Sequence, residues 1–180
     1  MKTVVKHFIL TLILVALPSA AMAQRVPATD SGAIGGDGGL FSAGLSQGPT
    51  LEGFYEYYFS PRNSLRIGLG WARPQGKPLD QQFLHVPVDL VYNWERGGSV
   101  HPFVGAGLGI YFLEEHRSWP WEDEITRETK LGGTLFGGIE LYAKPRTASF
   151  KIEARYHAVR NHTISNYDGL AITLGFKKYF

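Results

Sequence analysis

Apolar side chains occupy every second position along most of the chain after residue 39, with small or polar side chains between them. The cleanest stretch covers residues 150–157, where two sets alternate without a break: Phe150, Ile152, Ala154 and Tyr156 against Lys151, Glu153, Arg155 and His157. Successive side chains of a β-strand point to opposite faces, so this period predicts strands with one apolar and one polar face.

Eight such segments are predicted, at residues 39–46, 50–60, 65–72, 83–94, 101–113, 130–143, 150–157 and 169–180. A tilted membrane-spanning strand requires roughly 9–11 residues, which is close to these lengths. Tight turns at 61–64, 96–99 and 144–147 alternate with longer loops at 74–82, 114–129 and 160–168. Short turns at one rim and long loops at the other are typical of outer-membrane barrels. The pattern predicts an all-β fold, an eight-stranded antiparallel up-and-down transmembrane β-barrel with its long loops outside the cell.

Two strands carry features that suit a narrow barrel. Residues 101–113 alternate glycine with apolar residues, so Gly105, Gly107 and Gly109 leave one face nearly bare, as a crowded interior requires. Pro87 lies in the middle of the strand at 83–94 and lacks an N–H. We therefore expect a gap in the hydrogen-bond ladder or a bulge at that position.

Aromatic residues gather near the predicted strand ends, and we interpret them as two girdles at the membrane interfaces. The girdle on the turn side is predicted to contain Phe59, Trp94, Phe103, Tyr142, Phe150, Tyr179 and Phe180. The girdle on the loop side is predicted to contain Trp71, Phe83, Tyr111, Phe112 and Tyr156.

The start of the chain has the three parts of a secretory signal peptide. Lys2 and Lys6 are positively charged, residues 8–17 are apolar, and residues 21–23 form a small-residue cleavage site. The apolar run is shorter than the about 20 residues of a transmembrane helix, and no later stretch reaches that length. We predict a cleaved signal peptide at 1–23, a flexible periplasmic lead-in at 24–38 and a barrel at 39–180 in the outer membrane of a Gram-negative bacterium.

Composition narrows the function classes further. The chain has no Cys, which excludes disulfides, thiol catalysis and Cys-ligated metal. The net charge of +2 gives no reason to expect a nucleic-acid partner. His116, His157 and His162 lack metal-ligand spacing, so we predict neither a metal site nor a cofactor. We expect the barrel to be a monomer.

Charged residues on the polar faces of the strands are predicted to meet inside the barrel. They are Glu52, Glu56, Arg66, Asp89, Glu140, Lys151, Glu153 and Arg155. An eight-stranded barrel has an interior only wide enough to be filled by side chains. Because an unpaired buried charge is costly, we predict a filled lumen of interlocked ion pairs. A proton path or narrow pore along the same residues is the alternative.

Three segments resemble the small outer-membrane β-barrel domain family, the broad OmpA/OmpX-like group of eight-stranded barrels. They are Tyr55-Glu56-Tyr57 with Ser60-Pro61-Arg62, residues 101–107, and residues 175–180. The resemblance implies the fold and the location, and it makes Phe176, Tyr179 and Phe180 the signal read by the barrel-assembly machinery. Lys178 departs from the pattern, because it stands on the apolar face; at the rim this costs only about 0–1 kcal/mol. The family hosts several functions and does not imply one of them.

A second resemblance, to the lipid A 3-O-deacylases, carries a reaction. Residues 155–159 and 166–169 are similar to that family's His-x-Ser-Asn motif and the Asn-x-Gly segment after it. A Ser–His pair needs a hydroxyl nucleophile and an imidazole base. Val159 stands where the serine should be, two residues after His157, and Ser165 has the wrong spacing. We therefore predict no catalytic residue and no enzymatic activity, with a lipid A-modifying hydrolase as the alternative.

The longest predicted loop, at 114–129, is the candidate contact surface. It holds Trp119, Trp121 and the acidic run of Glu122, Asp123 and Glu124. Exposed aromatic residues mark contact surfaces. Basic residues crowd the same side, namely Arg73, Lys77, Arg117, Arg127, Lys130 and Arg160, and arginine pairs well with lipopolysaccharide phosphates. We expect a structural or surface-interaction role, with outer-membrane lipid and lipopolysaccharide as partners.

Overall fold

The structure, a computed structural model, describes residues 28–76, 79–94, 99–119, 122–143, 147–159 and 167–180. The strands in this part of the chain are β1 (Ser31–Ala43), β2 (Ser46–Tyr58), β3 (Asn63–Ala72), β4 (Gln75–Gly76), β5 (Leu79–Asn93), β6 (Val100–Trp119), β7 (Glu122–Ala143), β8 (Ala148–Ala158) and β9 (Gly169–Tyr179). The described residues contain no helix that is long and apolar enough to cross a membrane. The predicted signal peptide, Trp121 and Ser165 lie outside the described residues.

The eight long strands form one closed sheet. Each pairs antiparallel with its neighbours in sequence, and β1 closes the ring by pairing with both β2 and β9. The short β4 has two residues and joins β2 to β5 at one rim. The prediction of an eight-stranded antiparallel up-and-down barrel is therefore confirmed.

The two rims of the barrel differ in their connections. We call the rim that carries the β2–β3, β5–β6 and β7–β8 connections the turn rim. The other rim, which carries the remaining connections, is the loop rim. Ala33 near the start of β1 pairs with Tyr179 at the end of β9, so β1 begins and β9 ends at the turn rim.

Side chains alternate between the interior and the outer surface along the strands. In β2, Glu52, Phe54, Glu56 and Tyr58 are buried inside, whereas Leu51, Tyr55 and Tyr57 are exposed. In β8, Lys151, Glu153, Arg155 and His157 are buried, and their apolar neighbours face outward. An apolar outer surface around a polar interior is the reverse of a soluble protein and fits a barrel surrounded by lipid.

Pro87 leaves the predicted gap in the ladder between β3 and β5. Ile67 pairs with Val88, the pairing then stops, and it resumes at Gly70 with His85 in the same register. On the other side of β5, Pro87 pairs with Gly109 in an unbroken ladder. The missing N–H therefore interrupts one ladder and causes no bulge.

The bare face of β6 lies where the predicted crowding occurs. A Cβ atom added to Gly107 would collide with the Asp89 carboxylate and the Val88 carbonyl. Gly107 therefore makes room for a buried acid from the neighbouring strand.

The predicted start of the barrel at residue 39 is too late. β1 begins at Ser31, and the residues assigned to the lead-in pair with β2 and β9 from Ala33 onward. Glycine occupies positions 32, 35, 36, 38 and 39. Because glycine has no side chain, it hides the period of two while its backbone still pairs.

The segment predicted as a loop at 114–129 is mostly strand. β6 and β7 stay in register from Leu113 with Glu128 to Trp119 with Glu122. We call residues 79–82, 113–119 and 122–132 of β5, β6 and β7 the extension. Its sequence is mostly polar, and apolar residues such as Leu113, Ile125 and Leu131 are too widely spaced to show the period of a strand.

Five aromatic residues assigned to the girdles lie inside the barrel instead: Phe83, Phe103, Tyr111, Tyr142 and Tyr179 are all buried. The alternation of side chains along each strand places these five residues on the interior face, and their closeness to a rim does not change this. Phe59, Trp94, Phe112, Phe150, Tyr156 and Phe180 are exposed on the outer surface as the girdle prediction requires.

Candidate functional site

Arg66 is the central cation of the interior. It is fully buried, its Nε lies 3.1 Å from Glu56 Oε2, and its Nη1 lies 2.9 Å from Glu153 Oε2. Ser64 donates a further hydrogen bond of 2.6 Å to Glu56. A buried charge needs this kind of pairing, because its desolvation costs several kcal/mol otherwise.

Arg155 joins three carboxylates nearer the loop rim. Its Nε lies 2.8 Å from Glu153 and its Nη1 lies 2.8 Å from Asp89, while Glu52 is 3.7 Å from Nη2. Asp89 also accepts a hydrogen bond of 2.7 Å from the Thr134 hydroxyl. Arg155 thereby links β8 to β2 and β5.

Lys177 continues the ion pairs toward the turn rim. Its Nζ lies 2.9 Å from Glu56 and 3.0 Å from Glu140. Glu140 also accepts hydrogen bonds from Ser149 and Tyr179. The structure thus brings together all eight residues predicted for the interior, and Lys177 on the polar face of β9 pairs with two of them.

Asp37 is the interior acid that the predicted network lacks. Its carboxylate lies 2.5 Å from Lys151 Nζ, which also contacts Glu153 at 2.9 Å. Asp37 falls in the segment that we assigned to a flexible lead-in. One signal in the sequence could have revealed Asp37. It is a single charged residue between two pairs of glycines, and a flexible surface segment has no need of that arrangement.

Aromatic rings surround the buried cations. The Arg66 guanidinium lies 4.7 Å from the centre of the Phe54 ring, and Arg155 lies 4.2 Å from that of Phe136. Lys151 Nζ lies 4.4 Å from the Phe54 ring. Such contacts stabilise a cation when both groups are desolvated. The aromatic residues of the interior therefore stabilise the buried cations in addition to the ion pairs.

An aromatic and histidine cluster lies in the interior near the loop rim. Phe83 packs at its centre, and His85 stacks on Tyr111 with ring centres 5.4 Å apart. His157 Nδ1 lies 2.9 Å from the Tyr111 hydroxyl. His157 therefore faces the interior and not the lipid, and Val159 beside it is fully buried.

A groove on the outer surface marks the base of the extension. It has a volume of about 400 Å³ and includes Trp71, Leu84 and Phe112, which are neighbours across β3, β5 and β6. One step above them lie Gln82, Glu114 and Arg127, which form the next outward row. Glu114 accepts hydrogen bonds of 3.2 Å from Gln82 and 2.7 Å from Arg127.

The remaining predicted residues are placed only by their strands or their exposure. Trp119, Glu122, Asp123 and Glu124 lie in the backbone ladder at the tip of the extension. Phe176 and Phe180 are exposed on the outside of the barrel at the turn rim, whereas Tyr179 is buried. Within the described ranges, no group of three or more His, Asp or Glu side chains is arranged to hold a metal ion.

The comparisons with solved structures agree with this architecture. Neisserial surface protein A (NspA) superposes with a TM-score of 0.67 and 13% identity, covering 84% of this chain and 98% of that one. The N-terminal β-barrel domain of Pseudomonas aeruginosa OprF gives 0.62 and 15%, with the same coverage. The outer membrane enzyme PagL gives 0.51 and 14%, covering 82% of this chain and 98% of that one. At such identities the likeness concerns the fold alone.

A search of curated protein sequences finds no match. The family model described as "Outer membrane protein beta-barrel domain" matches residues 9–180, which is nearly the whole chain. The chain therefore belongs to the outer membrane protein β-barrel domain family.

Proposed function

We propose that this barrel is a non-enzymatic outer-membrane protein with a filled lumen, which acts at the cell surface through its extension. The observation that carries the proposal is the chain of buried ion pairs from Glu140 near the turn rim to His85 near the loop rim. A continuous water path would have to break these contacts. Each broken contact leaves a buried charge uncompensated, which is costly.

Conductance in planar bilayers tests the filled lumen. We expect the purified full-length mature chain to show no single-channel steps, and Arg66→Ala, which removes the central cation, to show them if its barrel stays closed. Steps of uniform size in the unmodified protein would favour the narrow pore instead.

Contact with lipopolysaccharide is the proposed role of the extension. Support comes from the groove at its base, where an apolar row lies beneath a polar row on the outward surface. The lower row suits acyl chains, and Arg127, whose side chain is 73% exposed, suits a phosphate above them. Trp119, at the tip of the extension, is proposed to add contact area, and so is Trp121, which lies outside the described residues.

The test is lipopolysaccharide retention by the barrel folded into lipid vesicles. We expect Trp119→Ser with Trp121→Ser, or Arg127→Gln, to reduce retention several-fold while the heat-modifiable gel migration of a folded barrel is unchanged. Trp94→Ser at the turn rim is the matched control and should retain as much as the unmodified protein. Equal loss in the control would contradict a role for the extension.

The hydrolase alternative is supported by the shared fold of PagL and by the motif around His157. Against it stand the contacts of His157, whose ring is buried against Tyr111 and Phe83, and the apolar side chain at Val159. A nucleophile must lie within about 3.2 Å of its base. Acyl-chain release from lipid A by the purified protein, abolished by His157→Ala, would overturn the non-enzymatic proposal; we expect no release.

A further inference from the structure

Acids outnumber cations among the described residues of the barrel interior. Besides Glu115 in the extension, the buried carboxylates are those of Asp37, Glu52, Glu56, Asp89, Glu140 and Glu153, and the cations are Arg66, Lys151, Arg155 and Lys177. If the six acids and four cations below the extension were all ionised, that part of the interior would carry two uncompensated negative charges. Because an uncompensated buried charge is costly, such an interior is expected to bind protons.

Two of these acids face each other. Asp37 and Glu52 are directly opposite in the ladder between β1 and β2, and both side chains are more than nine-tenths buried in the interior. Directly opposed residues have Cβ atoms about 4.5–5.5 Å apart, and like charges in this position are destabilising.

Neighbouring strands do little to neutralise this pair. Opposite Asp37 on β9 stands Gly175, and opposite Glu52 on β3 stands Gly70, so neither neighbour brings a charge. Lys151 on β8 contacts Asp37 but is shared with Glu153, also on β8.

Glu52 also has no close cation from the opposite side of the barrel. Arg155 on β8 reaches it only at 3.7 Å, because its shorter contacts go to Glu153 and Asp89. His85 on β5 lies 3.2 Å from its second oxygen. Glu52 Oε1 is buried without a hydrogen-bond partner, and so is the hydroxyl of Thr173 on β9, diagonal to Asp37.

We propose that Asp37 and Glu52 form a carboxyl pair that binds one proton in the folded barrel at neutral pH. Two carboxylates that share a site cannot both ionise at low cost, and one proton converts their repulsion into attraction. The ligand of this site is the proton itself, taken up from water as the chain folds.

The pair gives the barrel a defined pH dependence. In the unfolded chain both carboxyl groups lose their protons above about pH 4–5. Above that pH the folded state then holds one proton more than the unfolded state, so stability falls as the pH rises. Well-paired acids such as Glu153 have the opposite effect. Their contribution to the stability of the folded barrel is lost as the pH falls below that range.

Infrared spectroscopy and urea unfolding of the folded full-length mature chain test the proposal. At pH 7 we expect a carbonyl stretch from a protonated carboxylic acid, absent in Asp37→Asn. Between pH 6 and pH 9 the urea midpoint of the unmodified protein should fall, while Asp37→Asn should stay flat and match or exceed it at pH 8. Glu153→Gln, which removes the same charge from an acid with three cation contacts, should be less stable throughout.

Two results would overturn the proposal. One is the absence of the carbonyl band in the unmodified protein at pH 7; this measurement needs no variant to fold. The other is an Asp37→Asn barrel that keeps the band or is as unstable at pH 8 as Glu153→Gln.

Discussion

Arg66 and Glu153 are 87 residues apart in the chain, and their side chains meet at 2.9 Å across the barrel. Arg66 lies on β3 and Glu153 on β8, which are separated by three strands in either direction around the ring. The pair therefore joins opposite walls, and it ties the barrel across its full width.

Removing the central cation should be far more harmful than removing a cation at the surface. Arg66→Met leaves Glu56 and Glu153 short of a partner in the interior, and we expect a loss of about 3–5 kcal/mol in the free energy of unfolding. Arg127→Met, which breaks an exposed pair with Glu114, should cost about 0–1 kcal/mol. Urea unfolding in detergent micelles measures both. Similar losses would mean that water reaches Arg66.

A side chain added to the bare face of β6 should prevent tight closure. Gly107→Leu would drive the new side chain into Asp89 and the β5 backbone. Overpacking at a site that has no room for a side chain costs about 1–3 kcal/mol or more. Ala106→Leu adds a side chain at the adjacent position, which is exposed on the outer surface, and should leave the folded yield unchanged. Heat-modifiable gel migration reports the folded fraction, and equal effects would contradict the assigned faces.

Phe180 should contribute to closure through both its backbone and its ring. Its N–H and C=O exchange hydrogen bonds of 2.9 and 3.0 Å with Gly32, and its ring covers that glycine beside Tyr55. Deleting Phe180 should therefore reduce the folded yield more than Phe180→Ala, which keeps both backbone bonds. Phe150→Ala, an exposed ring in a strand with intact pairing, is the control. A deletion that folds as well as the control would exclude a role in closure and in assembly.

The hydroxyl of Tyr179, a buried residue of the interior near the turn rim, should contribute to the stability of the barrel. Tyr179 donates a hydrogen bond to Glu140, its hydroxyl lies 3.1 Å from that of Tyr142, and Lys177 also donates to Glu140. Tyr179→Phe removes a buried donor to a charged acceptor, a kind of bond that contributes about 1.5–3 kcal/mol. The Tyr57 hydroxyl donates a hydrogen bond to Asp30 in an exposed position, so Tyr57→Phe should reduce the free energy of unfolding by less. The difference in urea midpoint between the two variants measures the effect.

The alternation of side chains made most of the barrel predictable. Strands such as β8 and β9 carry long apolar side chains on their outer face, so their period of two identifies both the strand and its orientation. The interior position of Arg66, Lys151 and Arg155 follows from the same period. Pro87 was predictable for a local reason as well, because a missing N–H interrupts a ladder wherever the strand lies.

Where a segment has a clear period of two, the sequence by itself determined that it is a strand and which of its faces is polar, because successive Cβ atoms alternate by covalent geometry. It did not reveal β1, where glycines carry no pattern, or the extension, where most residues are polar. The tertiary structure decided that Asp37 stands opposite Glu52, because the register of the β1–β2 hairpin sets that pairing. Ring closure decided that Arg66 reaches Glu153. A contact across a barrel depends on the register of every strand between the partners, and no local pattern in the chain encodes that sum.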